Sequence, residues 1–224
     1  MNAPVDSNVH NDRNGPIRSR GKAEWILLDF GNVICGYDYD PFIRFLVANG
    51  PCSQGQVARR MFGVDGLLSA YETGAIGTKE FVELTRRSIA PAASLQQVET
   101  RFSRIFEEWP SAIAALPLLA RRFRLALLSD TNELHFETMI APIITPHVEL
   151  VILSYKEGRM KPDVALFRAF LDRAEARPES CLFFDDAKPK VDAARGIGIP
   201  SHRVSGPLGL KDACIRLGLI GSTD

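Results

Sequence analysis

Four short polar islands divide this chain, each at or a little beyond the end of an apolar run. The runs cover residues 25–28, 125–128, 150–153 and 182–184. The islands are Asp29-Phe-Gly-Asn-Val33, Ser129-Asp-Thr-Asn132, Lys161-Pro-Asp163 and Asp185-Asp186. Continuous apolar runs this short suit strands covered on both faces, as in a parallel sheet. Between them the apolar spacing becomes helical, over 113–123, 135–140, 164–176, 191–195 and 210–217, with one more short strand expected at 201–204. Strands alternating with helices predict βαβ units with right-handed crossovers. The fold class expected is therefore α/β, a Rossmann-like parallel sheet with helices on both faces.

One stretch breaks the alternation. After the first strand, Gly36-Tyr-Asp-Tyr-Asp-Pro41 reads as a loop into a helix at 42–49. From there to about residue 110 no strand is expected, only amphipathic segments at 56–62, 67–72, 79–89 and 95–109. Ser53 and Thr78 are the N-caps expected, and Gly50-Pro51 and Ala90-Pro91 are breakers. The expected organisation is a flexible tail over 1–22, a core made of 23–36 and 110–224, and a small all-helical cap over 37–109. In open parallel sheets ligands bind just outside the carboxyl ends of the strands. An insertion leaving directly after the first strand sits over that edge as a lid.

Composition narrows the class. Basic and acidic residues number 27 each, and no block of like charge occurs, so neither nucleic acid nor a membrane surface is an expected partner. No apolar stretch approaches the roughly 20 residues that a membrane span needs. The first twenty residues are polar and lack the apolar core of a secretory signal. Cys35, Cys52, Cys181 and Cys214 lie far apart without paired spacing. They read as reduced thiols of a cytoplasmic protein, expected as a monomer or weak homodimer.

The islands carry the chemistry. Alone, each has a plain reading. An aspartate at a strand end is often a turn residue, Ser129 to Asn132 could cap the next helix, and Lys161-Pro162 could be a loop before a helix. Asp185-Asp186 is harder to explain, because adjacent carboxylates repel unless a cation sits beside them. Brought to one sheet edge, a carboxylate, a hydroxyl, a lysine and a carboxylate pair form an inventory for handling a phosphate with a hard metal ion.

The order and identity of these residues resemble the haloacid dehalogenase-like (HAD) superfamily of phosphohydrolases, over nearly everything from Trp25 to Leu217. Trp-Ile-Leu-Leu-Asp-Phe-Gly-Asn-Val33 is similar to the first motif of its D-x-G-N-V branch. Leu-Leu-Ser129-Asp-Thr-Asn, Gly158-Arg-Met-Lys-Pro-Asp163 and Leu182-Phe-Phe-Asp-Asp186 are similar to the second, third and fourth. Tyr71-Glu-Thr-Gly-Ala-Ile-Gly-Thr-Lys-Glu-Phe81 resembles a segment of the branch's C1-type cap. The resemblance implies a hydrolase acting on a small phosphorylated metabolite. Asp29 would attack phosphorus, and Ser129, Asp130, Asn132 and Lys161 would serve the phosphate. Mg²⁺ would be held by Asp29, the Gly31 carbonyl and Asp186, with Asp185 as a further or backing ligand.

Two departures stand out. Many phosphatases of the superfamily carry a second aspartate two residues after the nucleophile, as general acid and base, and here that position is Gly31. Tyr37, Asp38 and Asp40 are candidates to replace it. Four residues after Asp186 stands Lys190, where the branch often has Asn; Lys188 and Lys190 read as solvated helix-start residues, or alternatively as recruiters of an anion. His135 reads as a helix-surface residue. The rival functions are a 2-haloacid dehalogenase, in which Asp29 attacks carbon, and a non-catalytic module that binds a phosphometabolite.

Overall fold

The computed structural model describes residues 23–221; the expected tail at 1–22 lies outside them. β1 (Trp25–Leu28) is followed by β2 (Cys35–Tyr37) and then by five helices, α1 (Asp40–Ala48), α2 (Gln54–Phe62), α3 (Leu67–Glu72), α4 (Thr78–Ser88) and α5 (Leu95–Ser103). β3 (Phe106–Glu108), α6 (Pro110–Ala120) and β4 (Arg124–Ser129) come next. α7 (Glu133–His135) runs through a π-helical turn at Phe136–Ile140 into α8 (Ala141–Ile144). The chain closes with β5 (Leu150–Leu153), α9 (Ser154–Glu157), α10 (Val164–Ala174), β6 (Cys181–Asp185), α11 (Lys188–Gly196), β7 (Ser201–Arg203) and α12 (Gly209–Arg216).

Five strands form one parallel sheet in the order β5-β4-β1-β6-β7. β1, buried at all four positions, is its centre. Side chains alternate across a strand, and the two faces of this sheet collect two different cores. Ile26, Leu28, Leu127 and Phe184 pack under α6 and α12 with Leu116 and Leu210. Trp25, Leu27, Leu128 and Phe183 pack on the other face with Phe167 and Phe170 of α10. Leu28 pairs with Leu127 and Phe184, and Ser129 with Leu153. This register brings Asp29, Ser129 and Asp185 out at one edge.

The five helices between β2 and β3 have a core of their own, built on Phe42, Leu46, Val57, Met61, Tyr71, Phe81 and Phe102. Ser53 caps α2 as expected, in a capping box with Gln56, and Ser94 caps α5 in the same way with Gln97. Thr78 is not a cap: Gly77 is, and the Thr78 hydroxyl instead bonds Tyr71 and Glu133.

The helix expected over 95–109 ends at Ser103, and Phe106–Glu108 forms a strand antiparallel to β2. Phe102 and Phe106 are four apart, so their spacing looks helical although the chain straightens between them. This ribbon is the stem through which the helical insert leaves and rejoins the sheet. Its strands pair Tyr37 with Phe106 and Cys35 with Glu108, and the Asp38 N–H donates to the Ile105 carbonyl at 2.8 Å. Gly36 lets the stem pass the Trp109 indole, which a Cβ there would approach to 3.0 Å. No helix among the described residues is long and apolar enough to cross a membrane.

Candidate active site

The chain reverses immediately after Asp29. The Phe30 carbonyl accepts from the N–H groups of Val33, Ile34 and Cys35, and the Asn32 N–H donates to the Cys35 carbonyl. Asn32 takes a left-handed conformation (φ 55°), which asparagine tolerates better than most residues. The reversal aims its amide at Asp186, whose Oδ2 accepts from Nδ2 at 3.0 Å. The first and fourth islands are tied by this bond. Sequence reasoning gave Asn32 no role. An asparagine after a glycine in a strand-ending turn was the available signal, but its distant partner was not visible.

Lys161 lies at the centre of the site, its side chain fully buried. An ammonium has three protons to donate, and all three are matched: to the Leu128 carbonyl at 2.7 Å, Asp185 Oδ2 at 2.8 Å and Asp29 Oδ1 at 3.0 Å. The other Asp185 oxygen accepts from the Ala187 N–H at 2.9 Å. Asp185 is therefore wholly committed to holding Lys161 and the turn before α11.

Asp130 accepts from the Lys161 N–H at 2.8 Å, and its other oxygen lies 2.8 Å from Lys190 Nζ. Lys190 is also 3.9 Å from Asp29. The reading of Lys190 as a solvated residue is corrected: the first turn of α11 turns it into the cavity, while Lys188 stays outside with Asp192. The Asp130 side chain thus holds the Lys161 backbone and the Lys190 ammonium in place.

Asn132 stands at the edge of the constellation. Its side chain is fully buried and caps α7, with Oδ1 accepting the His135 N–H and Nδ2 lying 3.0 Å from His135 Nδ1. Both ends of the amide are engaged, and Asn132 is not among the residues that line the cavity. His135 is buried too, against expectation, stacked on Phe102 with centroids 4.2 Å apart. Its Nε2 lies 3.0 Å from the Phe102 carbonyl, which can only accept. The proton is thus on Nε2, Nδ1 accepts from Asn132, and the ring is neutral. A histidine that looks superficial on its own helix is covered by the insert, which helical periodicity cannot reveal.

A cavity of about 380 Å³ opens between the sheet edge and the insert. Asp29, Gly31, Ser129, Asp130, Lys161, Asp186 and Lys190 form its floor, and Tyr37, Tyr39, Phe62, Leu68, Glu72 and Met160 are among its walls. Burial alone would raise the Asp29 carboxyl, but Lys161 and Lys190 outweigh it and hold the group below its ordinary value. Burial, then the Asp29 charge, pushes Asp185 up to about 6. Lys190 loses some basicity to burial and regains more from Asp29, Asp130 and Asp185, ending above its ordinary value.

One carboxylate oxygen from each of Asp29, Asp185 and Asp186 falls within 4.8 Å of the others. Four aspartates here face only two lysines. Excess negative charge in a partly dry site is costly without a cation. Carboxylate oxygens arranged in this way are the donors that a hard divalent ion takes, and Mg²⁺ fits the set. Asp29 and Asp186 face the cavity and would hold it, with the Gly31 carbonyl, while Asp185 stands behind Lys161.

The haloacid dehalogenase-like hydrolase family model matches residues 24–198. The chain belongs to this family. Within it, the chain is 23% identical over 184 residues to the phosphorylated carbohydrates phosphatase of Thermotoga maritima, covering 79% of this chain and 82% of that protein. It is 20% identical to the D-ribitol-5-phosphate phosphatase of Bacteroides thetaiotaomicron, over 80% and 90% of the two chains. Two longer relatives are matched only in part. The chain spans 13% of acyl-CoA dehydrogenase family member 10 of Mus musculus and 28% of bifunctional epoxide hydrolase 2 of Sus scrofa, at 26% and 25% identity.

Among solved structures, a predicted HAD-like hydrolase of Porphyromonas gingivalis superposes with a TM-score of 0.77 at 24% identity, over 87% and 97% of the chains. A HAD family enzyme of B. thetaiotaomicron, crystallised with magnesium and inorganic phosphate, gives 0.72 at 23%, over 82% and 94%. At these identities the likeness establishes the HAD fold.

Proposed function

We propose that this HAD hydrolase is a Mg²⁺-dependent phosphatase of small phosphorylated metabolites, in the C1-capped branch with a D-x-G-N-V first motif. The observation that carries this reading is Asp29: buried, kept anionic by two lysines, and set beside two further carboxylates at the floor of the cavity. A buried carboxylate held ionised is equipped as a nucleophile. The names of the T. maritima and B. thetaiotaomicron relatives support a phosphate ester as substrate.

In this mechanism an Asp29 oxygen attacks phosphorus, the ester oxygen leaves, and water then cleaves the aspartyl-phosphate. Ser129, buried at the end of β4, donates its hydroxyl to a phosphoryl oxygen. Lys161 and Lys190 offset the charge that accumulates as two anions approach. Asp130 holds both lysines in place, and Asn132 supports the loop through its cap. Bound Mg²⁺ supplies charge neutralisation between phosphate and carboxylate. The residues at 37–109 act as the cap that keeps bulk water out. Four unpaired thiols support a reducing, cytoplasmic setting.

Hydrolysis of p-nitrophenyl phosphate, with Mg²⁺ and with EDTA, tests the proposal. Turnover should require the metal, and Asp29→Asn should abolish it. Turnover that survives in EDTA or in Asp29→Asn would overturn the reading. Activity on a 2-haloacid instead would favour attack on carbon, which two neighbouring carboxylates disfavour for an anionic substrate.

A further inference from the structure

The floor of the cavity has no carboxylic acid two residues after Asp29 to protonate the departing alcohol. Gly31 holds the position at which that acid would be expected, and the Tyr37 ring occupies the space its side chain would need. A Cβ on Gly31 would lie 2.8 Å from Tyr37 Cε1 and 3.0 Å from Cδ1, so a side chain there would displace the tyrosine ring. Asp38 is turned away: its Oδ1 accepts from the Asp40 N–H at 2.8 Å in an exposed turn. Neither Asp38 nor Asp40 is a lining residue, whereas Glu72 is.

Glu72 is the last residue of α3, and the chain on both sides of it is fastened to the sheet domain. Before it, the Tyr71 hydroxyl accepts from the Leu134 N–H at 3.1 Å and shares a hydrogen bond with Thr78 at 2.7 Å, while its ring stacks on Phe81 at 4.5 Å. After it, Gly74 (φ 70°) lies so close to α9 that a Cβ would fall 2.1 Å from the Tyr155 carbonyl oxygen. Glu72 therefore stands in the cavity wall on a segment fastened at both ends. Nucleophile and phosphate ligands come from the sheet edge, which leaves the side of the cavity lined by the insert for the leaving group.

We propose that Glu72 is the general acid and base of this enzyme, replacing from the insert the acid absent at Gly31, and that its substrates are phosphate esters of aliphatic alcohols. The inference rests on the phosphatase reading above and assigns its missing group. As Asp29 attacks, the bond from phosphorus to the ester oxygen breaks and that oxygen takes the Glu72 proton, leaving an alcohol and a Glu72 carboxylate. The carboxylate then takes a proton from the water that attacks phosphorus. The bond from phosphorus to the Asp29 oxygen breaks, inorganic phosphate departs, and Glu72 is again protonated. An alkoxide is a poor leaving group, which makes such an acid worthwhile.

The electrostatics agree. Burial, then the Asp130 charge, pushes Glu72 up to about 8, with Asp29 adding to the rise and Lys190 opposing it. Tyr37 and Tyr39 are the titratable groups that face it from the stem. The group is protonated near neutrality and close enough to it to cycle. Tyr37 is a weaker candidate, because burial and Asp186 raise its hydroxyl above the ordinary value.

The test compares two esters in Mg²⁺, p-nitrophenyl phosphate, whose leaving group needs little protonation, and a set of simple alkyl phosphates. In Glu72→Gln, kcat/KM, which ends at phosphoryl transfer to Asp29, should fall by about 10²–10³-fold for an alkyl ester that the wild type hydrolyses and by a far smaller factor for p-nitrophenyl phosphate, while kcat for p-nitrophenyl phosphate should fall because the base of the second step is lost. Equal losses of kcat/KM on both esters, or none on either, would overturn the role of Glu72 while leaving the phosphatase reading in place. Absence of Mg²⁺-dependent turnover of p-nitrophenyl phosphate by the wild type would instead sink that reading. The wild type offers a check that no variant can spoil by misfolding. Its kcat/KM for the alkyl ester should decline above about pH 8 while kcat/KM for p-nitrophenyl phosphate does not, and identical alkaline limbs in kcat/KM would overturn the proposal.

Discussion

A histidine kept neutral by dry surroundings makes stability depend on pH. Burial lowers His135 from 6.5 to about 4, and its bond to the Phe102 carbonyl opposes the shift only partly. Between those values the unfolded chain carries the extra proton, so stability falls as pH drops through 6.5 towards 4. The span corresponds to on the order of 3 kcal/mol. Asp185, raised to about 6, and Glu72, raised to about 8, work in the opposite direction. The quantity to measure is thus a difference. Urea unfolding of wild type and His135→Gln at pH 7 and pH 5 should show a steeper acid loss in the wild type. Equal slopes would mean that the ring is not held neutral. Residue identity at the site was largely legible, since Asp29, Ser129, Asp130, Lys161 and Asp186 all line one cavity. What could not be read was the direction of a side chain whose partner comes from another unit, as with His135, Lys190 and Glu72.

At the scale of elements, one close joint between insert and sheet domain is the approach of Gly74 to Tyr155. Both the positive φ and the missing side chain are required there. Gly74→Ala should destabilise the protein by roughly 2–4 kcal/mol, through backbone strain and overpacking, and should depress turnover by shifting Glu72. Gly55, in the exposed first turn of α2 with open space where a Cβ would sit, is the control. Gly55→Ala should be neutral or slightly stabilising. Thermal unfolding of both variants checks the pair, and a harmless Gly74→Ala would show the joint to be loose. The buried strands were legible because their apolar runs are unbroken. The stem was not, because three-residue strands such as Phe106–Glu108 carry too little alternation to be told from the end of a helix, and their pairing is set by the fold around them.

For the whole molecule, sheet order follows from where the islands must meet. β1 lies between β4 and β6, so the strands that deliver Asp29, Ser129 and Asp185 are immediate neighbours. The alternation of elements gave the class of this architecture. The closeness of the insert to the site was expected from its departure after β1, whereas which of its side chains reach the cavity depends on contacts that no local pattern encodes.

The four thiols offer a use of their own. All are unpaired and buried, and they are spread over the molecule: Cys52 within the insert, Cys35 in the stem, Cys181 and Cys214 in the sheet domain. Burial raises Cys35 and Cys181 to about 11 and Cys214 to about 12, so at neutral pH almost none of these three is in the nucleophilic thiolate form. A thiol-modifying dye should leave the native protein unmarked for hours and react with all four groups once urea opens it. Rapid marking of the native protein would contradict this burial. Between those limits, the order in which the peptides bearing Cys52, Cys35, Cys181 and Cys214 acquire the dye becomes a clock, telling which part of the molecule breathes first.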